Sequence, residues 1–292
     1  MKTSVQCVQV ANAVLGECPV WDHRARALYW IDVKRPAVYR WEPEGGQSGQ
    51  WRMPVMIGCL GLCESSRGLI ADVEGFGFLD IRSGQVSRLS DPEPDLAANL
   101  FNDGKVDRRG RFWAGSMHES GTLPTGSLYR VDPDLRVRRM REGFHCPNGL
   151  GWSLDERTMY VTDSTIRTIW AYEFDGPSGD LGPRRVFARL ASEDGLPDGL
   201  TVDQEGYVWS AIWDGWRLLR FDPNGNVERE LRLPVQRPTS CVFGGENFET
   251  LFVTSASDEL SNAELAQGPL AGSLFAVRAG CAGLPEGKFC DA

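Results

Sequence analysis

Residues 147–172, PNGLGWSLDERTMYVTDSTIRTIWAY, hold one complete copy of a unit that recurs along the whole chain. The stretch opens on Asn148 before a glycine and continues as a short apolar strand. A charged turn, Asp155-Glu156-Arg157, follows it. Two further strand-like runs come next, Thr158 to Thr162 and Thr168 to Phe174, rich in β-branched and aromatic residues and separated by Asp163 to Arg167. No helical period fits. Strands this short bury their faces only against neighbouring copies, so the repeat decides the fold.

Six pairs of runs match this unit: ALYWIDV with AVYRWEPEGG, GLIADV with GFGFLDIRSG, GRFWAGSM with GSLYRVDPDL, TMYVTDS with TIWAYEFDG, GYVWSAIW with RLLRFDPNG, and TLFVTSAS with GSLFAVRAG. Successive copies are about 40 to 50 residues apart, the blade period of a β-propeller whose blades are antiparallel sheets of about four strands. The reading is an all-β, six-bladed β-propeller, a single domain over residues 1–292. SVQCVQV near the N-terminus alternates like a strand without a local partner, and is expected to complete the last blade beside GSLFAVRAG. Such closure removes two exposed sheet edges. The Pro/Gly-rich tail from Cys281 carries no recognisable strand and is expected to be loosely ordered. Residues 258–271, DELSNAELAQGPLA, form the longest irregular stretch within a repeat and read either as a functional loop or as a short helical cap.

Composition agrees. Gly 33, Pro 17 and Trp 10 in 292 residues suit many short strands joined by turns. A formal net charge of -9, with no basic run, argues against nucleic acid and anionic membranes as partners. No apolar run is long enough to span a bilayer, and the N-terminus lacks the apolar core of a secretion signal, so a cytoplasmic protein is expected. The eight cysteines then read as free thiols, with Cys59 and Cys63 as small buried side chains. With only His23, His118 and His145 in the chain, no zinc-finger-like cluster forms.

In a propeller the innermost strands start near the central channel, so side chains distant in sequence converge there. The segments at these starts carry Glu17, Asn102 with Asp103, Asn148, Asp198, and Thr239 with Ser240. Singly, Asn-Gly and Asp-Gly are common turn dipeptides. Jointly, they aim carboxylate, amide and hydroxyl oxygens at one axial spot, with no Lys, Arg or His in those segments expected to neutralise them. Ionised carboxylates brought together in a poorly hydrated channel repel one another unless a cation joins them, so a divalent metal site is inferred. Oxygen and amide donors favour Ca²⁺, Mg²⁺ or Mn²⁺ and are compatible with Zn²⁺ and Fe²⁺.

LGECPVWD, FNDGKVDRRGRFWAGSM, PNGLGWS, LPDGLTVD and TSASDELSNAELAQGPLAGSLFAV resemble, in order and over nearly the whole chain, the SMP-30/gluconolactonase/regucalcin family of six-bladed propellers. The resemblance implies one divalent cation held by Glu17, Asn148 and Asp198, with Asn102 and Asp103 on the substrate side. It implies hydrolysis of a sugar lactone of aldono or uronic type in sugar oxidation, by a monomer or weak oligomer. Lewis-acid activation of the carbonyl suits a chain without a Ser-His-Asp constellation. The general base is then a carboxylate, Asp198 first and Asp103 second. Some sugar-lactone hydrolases of the family carry an Arg just before the FND segment, where this chain has Leu100, which donates no hydrogen bond. His118, Glu119, Trp213 and Trp216 are candidates to orient the sugar instead. A calcium-binding propeller without turnover, and hydrolysis of non-sugar esters on the same scaffold, are the alternatives.

Overall fold

A computed structural model describes residues 4–44, 48–65 and 67–291. Six four-stranded antiparallel sheets are arranged as the blades of a propeller. Each is entered at its innermost strand and built outward, because hairpin turns let consecutive strands pair with their sequence neighbours. In the repeat quoted above, the strands are Pro147–Trp152, Thr158–Asp163, Thr168–Asp175 and Asp180–Arg189, innermost to outermost. The paired runs found in the sequence are therefore the second and third strands of each blade, and the residues preceding each pair form the innermost strand. The sixth blade closes as expected: Val5–Gln9 pairs with Leu274–Arg278, Val5 facing Val277 and Cys7 facing Phe275.

The core lies between neighbouring blades. Phe76 of the second blade meets Phe101, Phe112 and Tyr129 of the third, with ring centroids 4.7, 6.2 and 6.4 Å apart. Trp113 of the third meets Trp152 and Phe174 of the fourth in the same way, at 6.3 and 6.0 Å. Offset and edge-on aromatic contacts of this kind fill the wedge-shaped gaps that strand twist leaves between blades.

Two buried acids serve this packing. Asp107 Oδ2 accepts from Trp113 Nε1 at 2.9 Å and Arg111 Nε at 2.6 Å, while Asp203 Oδ2 accepts from Trp209 Nε1 at 2.9 Å and Arg220 Nη2 at 2.7 Å. Each acid thus pins the tryptophan six residues on, and paired, hydrogen-bonded charges are the form in which an interior tolerates ionised groups.

Residues 258–271 contain a short helix, Asn262–Gln267, begun by a reciprocal capping box between Ser261 and Glu264. The short helix of the helical-cap reading is present.

The tail corrects the expectation of looseness. Gly283 bridges to Asp203, Phe289 bridges to Cys63, and the Phe289 side chain is fully buried. Lys288 Nζ reaches Asp22 Oδ1 at 2.9 Å, and Arg67 Nη2 reaches Asp291 Oδ2 at 2.8 Å. Residues 283–291 therefore strap the ends of several blades together. Without internal strand periodicity, the segment gave no signal in sequence, because each anchor is a single residue meeting a different blade.

Candidate active site

All six innermost strands break register at the same place. Pairing with the second strand slips between Glu17 and Val20, Ile57 and Cys59, Phe101 and Gly104, Asn148 and Leu150, Pro197 and Leu200, and Pro238 and Cys241. A β-bulge bends its strand and re-aims one side chain. Repeated around a ring, it turns one residue per blade away from the blade packing. The Asn-Gly and Asp-Gly pairs are thus bulged strand residues rather than turns. Backbone requirements fit: Gly149 has φ +29 and an added Cβ there would lie 2.5 Å from the Asp198 carbonyl, while one on Gly199 would lie 2.1 Å from Ser240 Oγ. Cys18 adopts φ +49 in the first blade without being glycine, the kind of local strain that clusters at functional sites.

The bulges bring Glu17, Asp103 and Asp198 into mutual range. Burial, then repulsion from Asp198 and Asp103, holds the Glu17 carboxyl well above the usual carboxylate range. Asp198 is raised by burial and then by Asp103. Asp103 is pushed up to about 6, burial outweighing the Gly104 N–H, which donates to Oδ1 at 2.7 Å, and the nearby Lys105 ammonium. Three carboxyls that all resist ionisation form a site short of positive charge.

The amides stand beside them. Asn148 Nδ2 donates to Ser164 Oγ at 3.0 Å, Asn102 Nδ2 donates to the Pro147 carbonyl at 3.0 Å, and both nitrogens lie 3.8 Å from Cys146 Sγ. With its nitrogen so engaged, Asn148 is left with the lone pairs of its amide oxygen to offer a ligand. Asp198 Oδ1 is fully buried and has no hydrogen-bond partner among the described residues. An orphaned carboxylate oxygen of this kind is costly unless something binds it, and two carboxylates with an amide oxygen are a hard-cation donor set. Among the described residues no three His, Cys, Asp or Glu side chains make a metal cluster by themselves. The set that fits needs the Asn148 amide.

Five of the expected site residues, Glu17, Asn102, Asp103, Asn148 and Asp198, are thus gathered. The second blade contributes none, having Ile57 and Gly58 at the bulge, and the Gly58 backbone is packed against the Phe101 carbonyl. Thr239 is spent elsewhere, its hydroxyl bonding the Gly16 carbonyl. No hydrogen bond joins His118, Glu119 or Trp213 to the carboxylate cluster among the described residues. His118 Nδ1 engages Ser120 Oγ at 2.9 Å, Glu119 is exposed, and one face of Trp213 is covered by the Arg237 guanidinium, 4.6 Å from the ring centroid. Leu100 is partly buried opposite Met117.

Two residues were missed. Ser164 orients Asn148, and its only sequence signal is its position just after a second strand. Lys105 corrects the expectation of a site without a nearby cation. It follows Asp103 by two residues, and its Nζ lies 3.3 Å from both Glu286 Oε1 and the Leu200 carbonyl. A partly enclosed cavity of about 20 Å³, enough for about one water molecule, is bounded by Cys18, Asp103, Lys105, Ser240, Cys241 and Glu286.

A closed six-bladed ring whose strand bulges converge an acidic and amide donor set on its axis defines a class of axial-site propellers. The chain belongs to the SMP-30/gluconolactonase/LRE-like family, whose model matches residues 15–257. It is 37% identical to 6-deoxy-6-sulfogluconolactonase of Pseudomonas putida over 99% of both chains, and 35% identical to regucalcin of Gallus gallus over 98% of both. The solved structure of a calcium-binding protein, regucalcin, from Agrobacterium tumefaciens superposes with a TM-score of 0.92 at 25% identity, covering 98% of this chain and 97% of that one.

Proposed function

We propose that the protein is a metal-dependent lactonase that opens a sugar lactone of aldono or uronic type to its acid. The observation that carries this reading is the buried, unpartnered Asp198 Oδ1 beside Glu17, Asp103 and the free oxygen of Asn148. Glu17, Asn148 and Asp198 would hold one divalent ion, Ca²⁺, Mn²⁺, Mg²⁺, Zn²⁺ or Fe²⁺. When bound, such an ion supplies Lewis-acid polarisation of the lactone carbonyl and neutralises the carboxylates. Asp198, with Asp103 as the second choice, takes a proton from the attacking water as its oxygen bonds the carbonyl carbon. The ring C–O bond breaks, and the same carboxyl returns the proton to the ring oxygen, completing a hydrolysis without an outside reagent. A pKa pushed up to about 6 in the metal-free protein suits Asp103 to this role, since a general base works best with its pKa near the working pH. Asn102 and Asp103 border the substrate side. His118, Glu119 and Trp213 are proposed to contact the sugar from the rim, where Leu100 offers no donor. The relative acting on a sulfogluconolactone supports the lactone class.

A calcium-binding propeller without turnover is the second reading, favoured by the regucalcin relatives, and non-sugar esters are the third. Acid release from a panel of sugar lactones by chelator-stripped protein, before and after single divalent metals are added, tests all three. Metal-restored turnover on a lactone supports the first. Binding of metal with no hydrolysis above buffer on any lactone overturns it, and aryl esters in the same panel separate the remaining two.

A further inference from the structure

The C-terminal strap sends one charge into the interior of the ring. Glu286, 13% exposed at its side chain, meets Lys105 Nζ at 3.3 Å, and Lys105 is itself only 17% exposed. Both border the partly enclosed cavity that Asp103 and Cys18 also line. Lys105 has a further tether, the Leu200 carbonyl at 3.3 Å, two residues beyond Asp198. The strap itself is anchored on both sides of Glu286, by the Gly283 bridge to Asp203 and by the buried Phe289. Glu286 is thereby held where it faces the ammonium.

We propose that Lys105 and Glu286 are positioning residues that set the divalent-cation affinity of the channel, the strap supplying the negative charge that offsets Lys105. The inference rests on the cation reading of Glu17, Asn148 and Asp198. Its physical basis is that a mostly buried ammonium beside Asp103, the carboxyl that bears on both Glu17 and Asp198, steadies Asp103 when no cation is bound and opposes a cation that arrives. Its partner carboxylate cancels most of that opposition. In a poorly solvated channel, one uncompensated unit charge nearby changes affinity for a divalent ion on the order of tenfold.

The test is calcium titration of chelator-stripped protein by isothermal calorimetry, comparing the parent with Glu286→Gln, Lys105→Arg, Lys105→Met and the double variant Lys105→Met/Glu286→Gln. Glu286→Gln is expected to bind calcium about tenfold more weakly, having kept the ammonium and lost its offset. Lys105→Arg keeps the charge and should bind within about threefold of the parent, as should the double variant, which removes both charges together. Lys105→Met alone, which keeps Glu286 and removes the ammonium, is expected to bind calcium about tenfold more tightly and keeps the comparison open if Glu286→Gln folds poorly. A merely structural strap would instead give equal calcium affinities, with the variants differing only in how fast protease cleaves within residues 283–291. Equal affinities across the series overturn the proposal and leave the cation site intact. A parent that binds no calcium, manganese or zinc overturns the cation reading and this inference together.

Discussion

Asn148 Nδ2 donates to Ser164 Oγ at 3.0 Å, and the Ser164 hydroxyl donates onward to the Pro197 carbonyl at 2.7 Å. One hydroxyl thus fixes which end of the Asn148 amide faces the channel and ties the fourth blade to the residue before Asp198. Thr162 Oγ1, donating to the Asp198 carbonyl at 3.1 Å, makes a second tie. Two proposed metal ligands on different blades are held in one frame by side chains that would touch no metal, as outer-shell partners of metal sites commonly are.

Replacing Ser164 by Ala releases the amide to rotate and leaves the Pro197 carbonyl unpaired. A loss of about 1 to 3 kcal/mol of stability is expected in urea unfolding. Calcium or manganese affinity, read by calorimetry, should fall by about tenfold, the lower end of effects seen when such partners are removed. Ser164→Thr, which keeps the hydroxyl, should recover most of both.

Asp198→Asn removes a carboxylate from a crowded acidic cluster. The metal-free variant is expected to melt at a higher temperature than the metal-free parent, because burial and repulsion from Asp103 both oppose the parent's charge. Turnover of lactones should nevertheless be abolished with the fold intact by circular dichroism. An active Asp198→Asn protein would remove this residue as the base and bring Asp103 forward. Glu17→Gln and Asn148→Ala should each weaken metal binding.

The acidic cluster also fixes the sign of a pH dependence. Asp103 titrates at about 6 when folded, against about 3.9 for an unperturbed aspartate, so the folded state binds more protons between those values. Stability of the metal-free protein therefore falls as pH rises from about 4 through about 6, as far as this group is concerned, and Glu17 and Asp198, also raised, act in the same sense. A divalent ion competes with those protons. The rise in melting temperature on adding metal should be larger at neutral pH than at about pH 5, and a larger rise at the lower pH would contradict the cluster as described.

Phe289 makes the strap a matter of packing as well as charge. Its fully buried ring lies 6.1 Å from that of Phe78, and its main chain pairs beside Cys63. Phe289→Ala is expected to cost about 3 to 5 kcal/mol in denaturant unfolding, the usual range for emptying a buried aromatic site. Protease should then cut within residues 283–291 before it cuts the blades.

The six-bladed architecture was legible from residues 147–172 and their repeats because the information is local. Alternating β-branched and aromatic residues and the turns between them dictate hairpins, and a repeat that cannot bury its own faces must stack on its neighbours. The convergence of Glu17, Asn102, Asp103, Asn148 and Asp198 was expected on similar grounds, three of the segments placing the acidic or amide residue at the same offset before its pair of runs. What only the tertiary structure decided depends on meetings between blades. Bulges turned apparent Asn-Gly and Asp-Gly turns into channel-facing strand positions, Ser164 became the partner of Asn148, and Lys105 found Glu286 from a tail 181 residues further on. None of these leaves a periodic mark, since a single hydrogen bond or ion pair across the ring requires a distance and an angle, and those exist only once the ring has closed.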